Sequence, residues 1–225
     1  MKNTKVITHP QKTTEDIPHI DEAEKKEETP KQKKPASKKS EPVFDPQKAF
    51  LDAFRKLTYR HRAWDAWHDF IIMFACALSN AVDKEHYNGR EALYLETIQK
   101  YNKQEQELFP ELLAQTVLAL EKNPEQDFLG SIFMSLNLGN EFNGQFFTPY
   151  HVCELMAEMT MDGTVQTVEQ NGYISVNDPC CGAGATLIAA IHAARKRLEK
   201  ANINYQNHVL VAAQDIDMTV ALMCY

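Results

Sequence analysis

The 225-residue sequence predicts an α/β fold in which a helical domain precedes a parallel strand–helix–strand unit. Three observations carry that prediction. Residues 46–140 repeat apolar side chains at helical spacing. Residues 141–225 switch to short apolar runs alternating with helical stretches, the order that gives parallel strands joined by a crossover helix. Between the first such run and the helix after it stands Asp178-Pro179-Cys180-Cys181-Gly182-Ala183-Gly184. A glycine-bearing turn from strand to helix is how α/β proteins present backbone N–H groups and a helix N-terminus to a nucleotide-like ligand.

Taken in chain order, residues 1–45 stand apart. They hold ten lysines, nine acidic residues, several prolines and almost no large apolar side chains, with the densest lysine run over residues 31–39. Such a segment lacks the apolar surface to offset its ordering entropy and is predicted to be disordered. Lysines of this kind can neutralise DNA phosphates, but the neighbouring acids nearly cancel the charge, so a solvated tail is the simpler reading.

Residues 46–140 form the predicted helical domain. Phe50, Phe54 and Leu57 share one face of a first helix; Trp64, Trp67, Phe70, Ile71 and Phe74 continue the pattern in a longer second one. At this spacing the two tryptophans read as packing residues rather than as platforms for stacked bases. Pro110 suits a first helical turn, followed by Leu112, Leu113, Val117 and Leu120 until Asn123-Pro124 stops the run. Phe128, Ile132, Phe133 and Leu136 form a further stripe. His61, His68 and His86 have no metal-like partner spacing, and no metal site is expected.

The third segment, residues 141–225, is the predicted α/β domain. Pro149 opens a helix whose apolar positions are Val152, Leu155, Met156 and Met159. A strand is predicted near residues 173–177, then the glycine turn, then a helix carrying Leu187, Ile188, Ile191 and Leu198. The cations Arg195, Lys196, Arg197 and Lys200 sit at that helix's C-terminal end, where they favour the macrodipole and need no nucleic-acid explanation. Val209 to Ala213 reads as a second, buried strand, and Met218 to Tyr225 starts another helix.

Composition limits the remaining classes. The chain is 44% hydrophobic with a net charge of −7, and its mean hydropathy is −0.44. No apolar stretch approaches the roughly 18 residues of a membrane span, and the N-terminus has no apolar segment of the secretory kind. Five cysteines, without C-x-x-C spacing, argue against a disulfide framework and a zinc site, so the expected location is a reducing cytoplasm.

Two further segments flank the glycine turn. About thirty residues before it lies Gly144-Gln145-Phe146-Phe147-Thr148-Pro149, and about thirty after it an apolar run ends in Gln214-Asp215-Ile216. An acid at that distance is where a ribose hydroxyl is held in a dinucleotide fold. The three segments together resemble the G-Q-[FY]-[FY]-T-P, D-P-x-x-G-x-G and Q-[ED]-I motifs of the N-6 DNA methylase family, the adenine-N6 methyltransferases found as modification subunits of type I restriction-modification systems. The likeness covers roughly residues 125–225, and the helical segment resembles, by position and class, the helical domain that precedes the cofactor domain in those subunits.

The resemblance implies a Rossmann-like methyltransferase sheet of which only the first two strands are present, and S-adenosylmethionine as cofactor. It implies cofactor contacts from Gln145, Phe146, Phe147, Thr148, Pro149, Asp178, Gly182, Ala183, Gly184 and Asp215. Gly182 and Gly184 would let backbone approach the cofactor, Asp178 would receive its ammonium, Thr148 its carboxylate and Asp215 its ribose hydroxyls, while Gln145, Phe146 and Phe147 shape the pocket. Asp178 also has a plain reading as an Asp-Pro turn residue. Asp217, two residues past Asp215, competes for the ribose role if the strand continues that far. The implied reaction is methyl transfer to N6 of a flipped adenine. The family's (N/D)-P-P-(F/Y/W) tetrad does not occur in the sequence, so the catalytic residues are unknown.

Residues 46–225 keep 14 basic and 22 acidic residues, a net of −8, which is a poor surface for DNA. DNA contact is therefore expected through missing sequence or a partner specificity subunit, with restriction-modification subunits as the partners. Two function classes remain open: a fragment of an adenine-N6 DNA methyltransferase, or a non-catalytic protein that binds S-adenosylmethionine or a methylase partner. A dinucleotide oxidoreductase is weaker, because its G-x-G-x-x-G fingerprint needs glycine where Leu187 stands.

Overall fold

Helix starts and stops in the first half follow directly from side-chain chemistry. In the computed structural model, which describes residues 44–139 and 146–225, the first helix, α1 (Pro46–Thr58), begins where Asp45 accepts the N–H groups of Gln47 at 3.0 Å and Lys48 at 3.4 Å, with Pro46 at the first position. Then come α2 (Ala63–Val82), α3 (Tyr87–Ile98), the single turn α4 (Lys103–Gln106), α5 (Leu108–Lys122) and α6 (Phe128–Ser135). Asn102 and Glu105 form a reciprocal capping box at α4. Asp127 caps α6 by accepting the Gly130 N–H at 2.8 Å. The lysine-rich segment expected to be disordered lies outside the described residues.

These helices enclose an aromatic core. Phe50, Phe54, Leu57, Trp67, Phe70, Ile71, Ile132 and Phe133 are essentially without solvent contact. Phe50 meets Trp67 and Phe128 edge-on, with centroids 6.1 and 5.8 Å apart. Trp64 and Trp67 both lie against Phe133, so both tryptophans pack as their spacing predicts. The α5 stripe is a correction. The buried positions are Phe109, Leu112, Thr116 and Ala119, whereas Val117 and Leu120 face outward. The run from Leu108 is apolar on nearly every side, so spacing alone does not select a face. The small residues Thr116 and Ala119 leave room for the neighbouring helix, and the Thr116 hydroxyl is satisfied by the Leu112 carbonyl at 2.9 Å.

The second half contains α7 (Tyr150–Thr160), α8 (Thr164–Asn171), β1 (Ile174–Asp178), α9 (Ala185–Lys200), β2 (Val209–Ala213) and α10 (Met218–Cys224). The two strands pair in parallel, in register from Ile174 with Val209 to Asp178 with Ala213, with α9 as the crossover between them. The described residues are thus mostly helical with a small parallel sheet, consistent with the α/β class.

Two expectations about burial fail here. On α7 the residues facing inward are Cys153 and Ala157, which pack on Ala185, Ala189, Ala190 and Ala193 of α9. Val152, Leu155, Met156 and Met159 are exposed, Met159 by 74%. Alanine and cysteine permit close helix approach, so the small residues and not the large ones mark the contact. Likewise β2 is a strand with the predicted limits but is not buried: Leu210 is 58% exposed, and the residues from Val211 to Ala213 are also exposed. Among the described residues β2 pairs with β1 alone, which leaves its outer edge and much of its apolar surface uncovered. No helix among the described residues is long and apolar enough to cross a membrane.

Candidate functional site

The site grows out of the end of the β1–β2 ladder. One residue past the paired strands, the Gln214 N–H donates to the Asp178 carbonyl at 3.0 Å, and the Cys181 N–H donates to the Gln214 carbonyl at 2.8 Å. This backbone clasp draws Asp215 alongside the glycine turn. The Gly182 N–H then donates to Asp215 Oδ2 at 2.9 Å, and the other carboxylate oxygen accepts the Asp217 N–H at 3.0 Å. Residues 33 apart in sequence are joined by a single charge-assisted hydrogen bond.

Both glycines of the turn are required by its backbone. Gly182 and Gly184 have φ of +55° and +91°, in the left-handed region. A Cβ built on Gly184 lies 2.8 Å from Cys224 Sγ and 3.3 Å from its Cα, so α10 closes directly over the turn. A Cβ on Gly182 lies 3.3 Å from the Phe147 ring. The Gly184 N–H returns to the Cys181 carbonyl at 2.8 Å, and α9 begins immediately after.

Asp178 ends β1 with two internal partners: its carboxylate accepts the Cys180 N–H at 3.0 Å and the Thr186 hydroxyl. The first bond closes an Asx turn. Thr186, in the first turn of α9, was not singled out by the sequence; its place one helical step past the glycines is the only signal it carries.

Phe146, Phe147 and Thr148 form one wall of a cleft of about 90 Å³ whose other wall is Asp178, Cys180, Gly182, Ala183 and Thr186. Phe147 is stacked on Phe133 of the aromatic core at 5.1 Å, whereas Phe146 is 73% exposed. Pro149 caps α7. Ala183 is buried in the aromatic core. Gln145 lies outside the described residues. The predicted site residues that are described therefore divide into cleft walls, a turn backbone, and Asp215 bridging to that turn.

Asp217 is corrected by the structure. The strand stops at Ala213, and Asp217 is the N-cap of α10, accepting the N–H groups of Thr219 and Val220. Asp215 and Asp217 therefore do not share a strand that would aim them alike. The helical half pins α10 from behind: His68 and the Thr219 hydroxyl are 2.7 Å apart, and the Ser79 hydroxyl donates to the Tyr225 hydroxyl at 3.0 Å. Burial pushes the Cys181 thiol upward and that of Cys224 up to about 12.

The cations at the end of α9 are paired with acids: Arg195 with Glu199, Lys196 with Glu125 and Arg197 with Glu158. Among the described residues no group of three or more His, Cys, Asp or Glu side chains could hold a metal ion.

Strand, glycine turn, helix and second strand, with an acid from the second strand's end bonded into the turn, define a unit of the kind that α/β proteins use for nucleotide-like ligands. Residues 128–225 match the N-6 DNA Methylase family. That match supports a DNA methylase-type function. No curated protein and no solved structure gives a match.

Proposed function

We propose that residues 128–225 are the start of a Rossmann-like, S-adenosylmethionine-binding domain of an adenine-N6 DNA methyltransferase. The reading rests on one convergence: the Phe146–Thr148 segment and the glycine turn, distant in sequence, border one cleft, and Asp215 is hydrogen-bonded to that turn.

The groups present fit the cofactor's chemistry. The Gly182 Cα lies close against the Phe147 ring, where a Cβ would stand 3.3 Å from it, and both residues border the cleft. Asp215 spends one lone pair on the Gly182 N–H and one on the Asp217 N–H, and a carboxylate has more to offer a pair of ribose hydroxyls. Asp178 and Thr148 border the cleft where an ammonium and a carboxylate would be held, and Phe146 and Phe147 supply apolar walls. When bound, S-adenosylmethionine supplies an electrophilic methyl group on a sulfonium. What this chain does is bind, orient and partly desolvate; proximity to the acceptor amine provides much of the acceleration in such transfers. The groups that would hold a flipped adenine have no counterpart in the sequence, and DNA contact is assigned to further sequence or a specificity subunit. A second reading is a non-catalytic S-adenosylmethionine-binding or methylase-partner protein.

Calorimetric titration separates these from a dinucleotide-binding protein. Saturable heat with S-adenosylmethionine and none with NAD supports the proposal, and the reverse overturns it. Methyl transfer to adenine-containing DNA, alone and with modification-system partners, then distinguishes enzyme from partner protein.

A further inference from the structure

Three carboxylates among the described residues are buried, and one of them lacks what the other two have. Asp69 accepts the Lys100 ammonium and the Tyr101 hydroxyl, each at 2.9 Å. Glu105 accepts the Asn102 N–H at 2.9 Å and has His61 and Arg60 at 3.3 and 3.8 Å. Asp127 is 6% exposed, and its carboxylate accepts one hydrogen bond, from the Gly130 N–H at 2.8 Å; no described cation pairs with it. A buried carboxylate without a cation is poorly compensated, and burial accordingly raises this one to about 6.

Asp127 lines a cavity of about 220 Å³ where α10 meets the helical half. Phe74 and Ala75 of α2, Leu120 of α5, Leu129 of α6, Ile188 of α9 and Leu222 of α10 supply its apolar walls. Ala183 is the one lining residue it shares with the candidate cofactor cleft. Polar side chains along it other than Tyr225 have spent their donors. The Thr116 hydroxyl donates to the Leu112 carbonyl at 2.9 Å, and Gln126 Nε2 donates to the carbonyls of Ala119 and Asn123. Asp127, once ionised, has no donor to spend. The Tyr225 hydroxyl accepts from Ser79 and keeps its own proton, but that residue is mostly exposed. Toward a ligand the cavity therefore presents acceptors and apolar surface.

We propose that this cavity binds a small primary ammonium compound carrying one aromatic or branched aliphatic group, its ammonium paired with Asp127 and its apolar group held among Phe74, Leu129 and Ile188. A dry cavity of ~150 Å³ holds benzene, so the space here admits a ring with a short aminoalkyl arm. An ammonium brings three donors and no acceptor, which suits the acceptors along the wall. A neutral molecule leaves Asp127 uncompensated, and a carboxylic acid is repelled by it. The site goes beyond the proposed cofactor function and does not depend on it.

The test is calorimetric titration of the full chain at pH 8 with benzylamine and with benzyl alcohol, which has nearly the same shape and no charge. Benzylamine should bind saturably, and the alcohol at least about tenfold more weakly. The Gly130 amide resonance should move with benzylamine, because its N–H is bonded to the carboxylate that receives the ammonium. Asp127→Asn keeps a helix cap and should lower benzylamine affinity to the level of the alcohol. Ala75→Leu fills the cavity without touching the carboxylate and should exclude both compounds, with circular dichroism to confirm that each variant folds. No saturable binding of benzylamine to the wild type would overturn the inference. So would equal wild-type affinities for amine and alcohol, or wild-type amine affinity in either folded variant. No S-adenosylmethionine enters the experiment, so its outcome is separate from that of the proposed function.

Discussion

The helical half and the α/β half of this chain differ in how many of their large apolar residues they bury. From α1 to α6 the large side chains go inside, and Phe50, Trp67 and Phe133 form one aromatic cluster with ring-to-ring contacts. From α7 to α10 the contact of α7 with α9 is made by alanine and cysteine, a small cluster forms around Val168, Ile174 and Leu198, and several large apolar residues lie outside: Leu155 and Met159 on α7, Leu210 on β2, and Ile216 beyond it at full exposure. The first half stabilises itself. The second half is held through a few points of attachment to that core: Phe147 on Phe133, Ala183 within the aromatic cluster, and α10 against α2. The candidate site lies at those attachments, so its geometry borrows rigidity from the helical half.

Substitutions can break this contrast, beginning with the largest effect. Trp67→Ala removes the centre of the aromatic cluster and should cost about 3–5 kcal/mol in urea unfolding, with the glycine turn loosened in the same transition. A loss confined to the helical half, with α9 and β2 unfolding separately at the wild-type midpoint, would contradict the attachment. Gly184→Ala combines a left-handed φ, worth about 1–2 kcal/mol, with a clash against Cys224. It should lower stability by about 2 kcal/mol or more and displace α10, read as faster amide exchange at Thr219 and Val220.

Asp127 sharpens the comparison through pH. Burial raises its carboxyl to about 6 in the fold, against about 3.9 in an unfolded chain. The folded state then holds more protons between those values, so stability is greatest at low pH and declines as pH rises through about 6. The decline is about 1–3 kcal/mol by that linkage. Asp127→Asn keeps the helix cap and should flatten the profile, leaving the variant at least as stable as wild type at pH 8. A persisting decline in its melting temperature between pH 4 and 7 would reject this source. The smallest effect belongs to the exposed sheet: Leu210→Ser should change stability by under about 0.5 kcal/mol. A loss of several times that would show that β2 is covered in solution.

What the sequence revealed follows the same division. The aromatic stripes of α1, α2 and α6 were legible because large residues at helical spacing had one face available to bury. The strand limits and the glycine turn were legible because strand propensity and positive φ are local demands. The inward face of α7 was not, since Val152, Leu155, Met156 and Met159 make the stronger stripe and the structure turns it outward. Asp215 could be selected by motif, but the reason it reaches Gly182 is the main-chain clasp at Gln214, which leaves no side-chain signature. Asp217 looked like a rival because the strand was extended too far; as the cap of α10 it belongs to a helix start. Cys224 had no local pattern to reveal it, because its contact with the turn is purely tertiary.

The central claim is that the turn at Gly182 and the carboxylate of Asp215 receive S-adenosylmethionine. The most direct measurement is calorimetric titration of the cofactor into wild-type protein and Gly182→Val, with circular dichroism to confirm that the variant folds. A bulky side chain at that φ and against Phe147 should abolish binding in a folded protein. Folded Gly182→Val that binds with wild-type affinity would show that the cofactor does not sit at this turn.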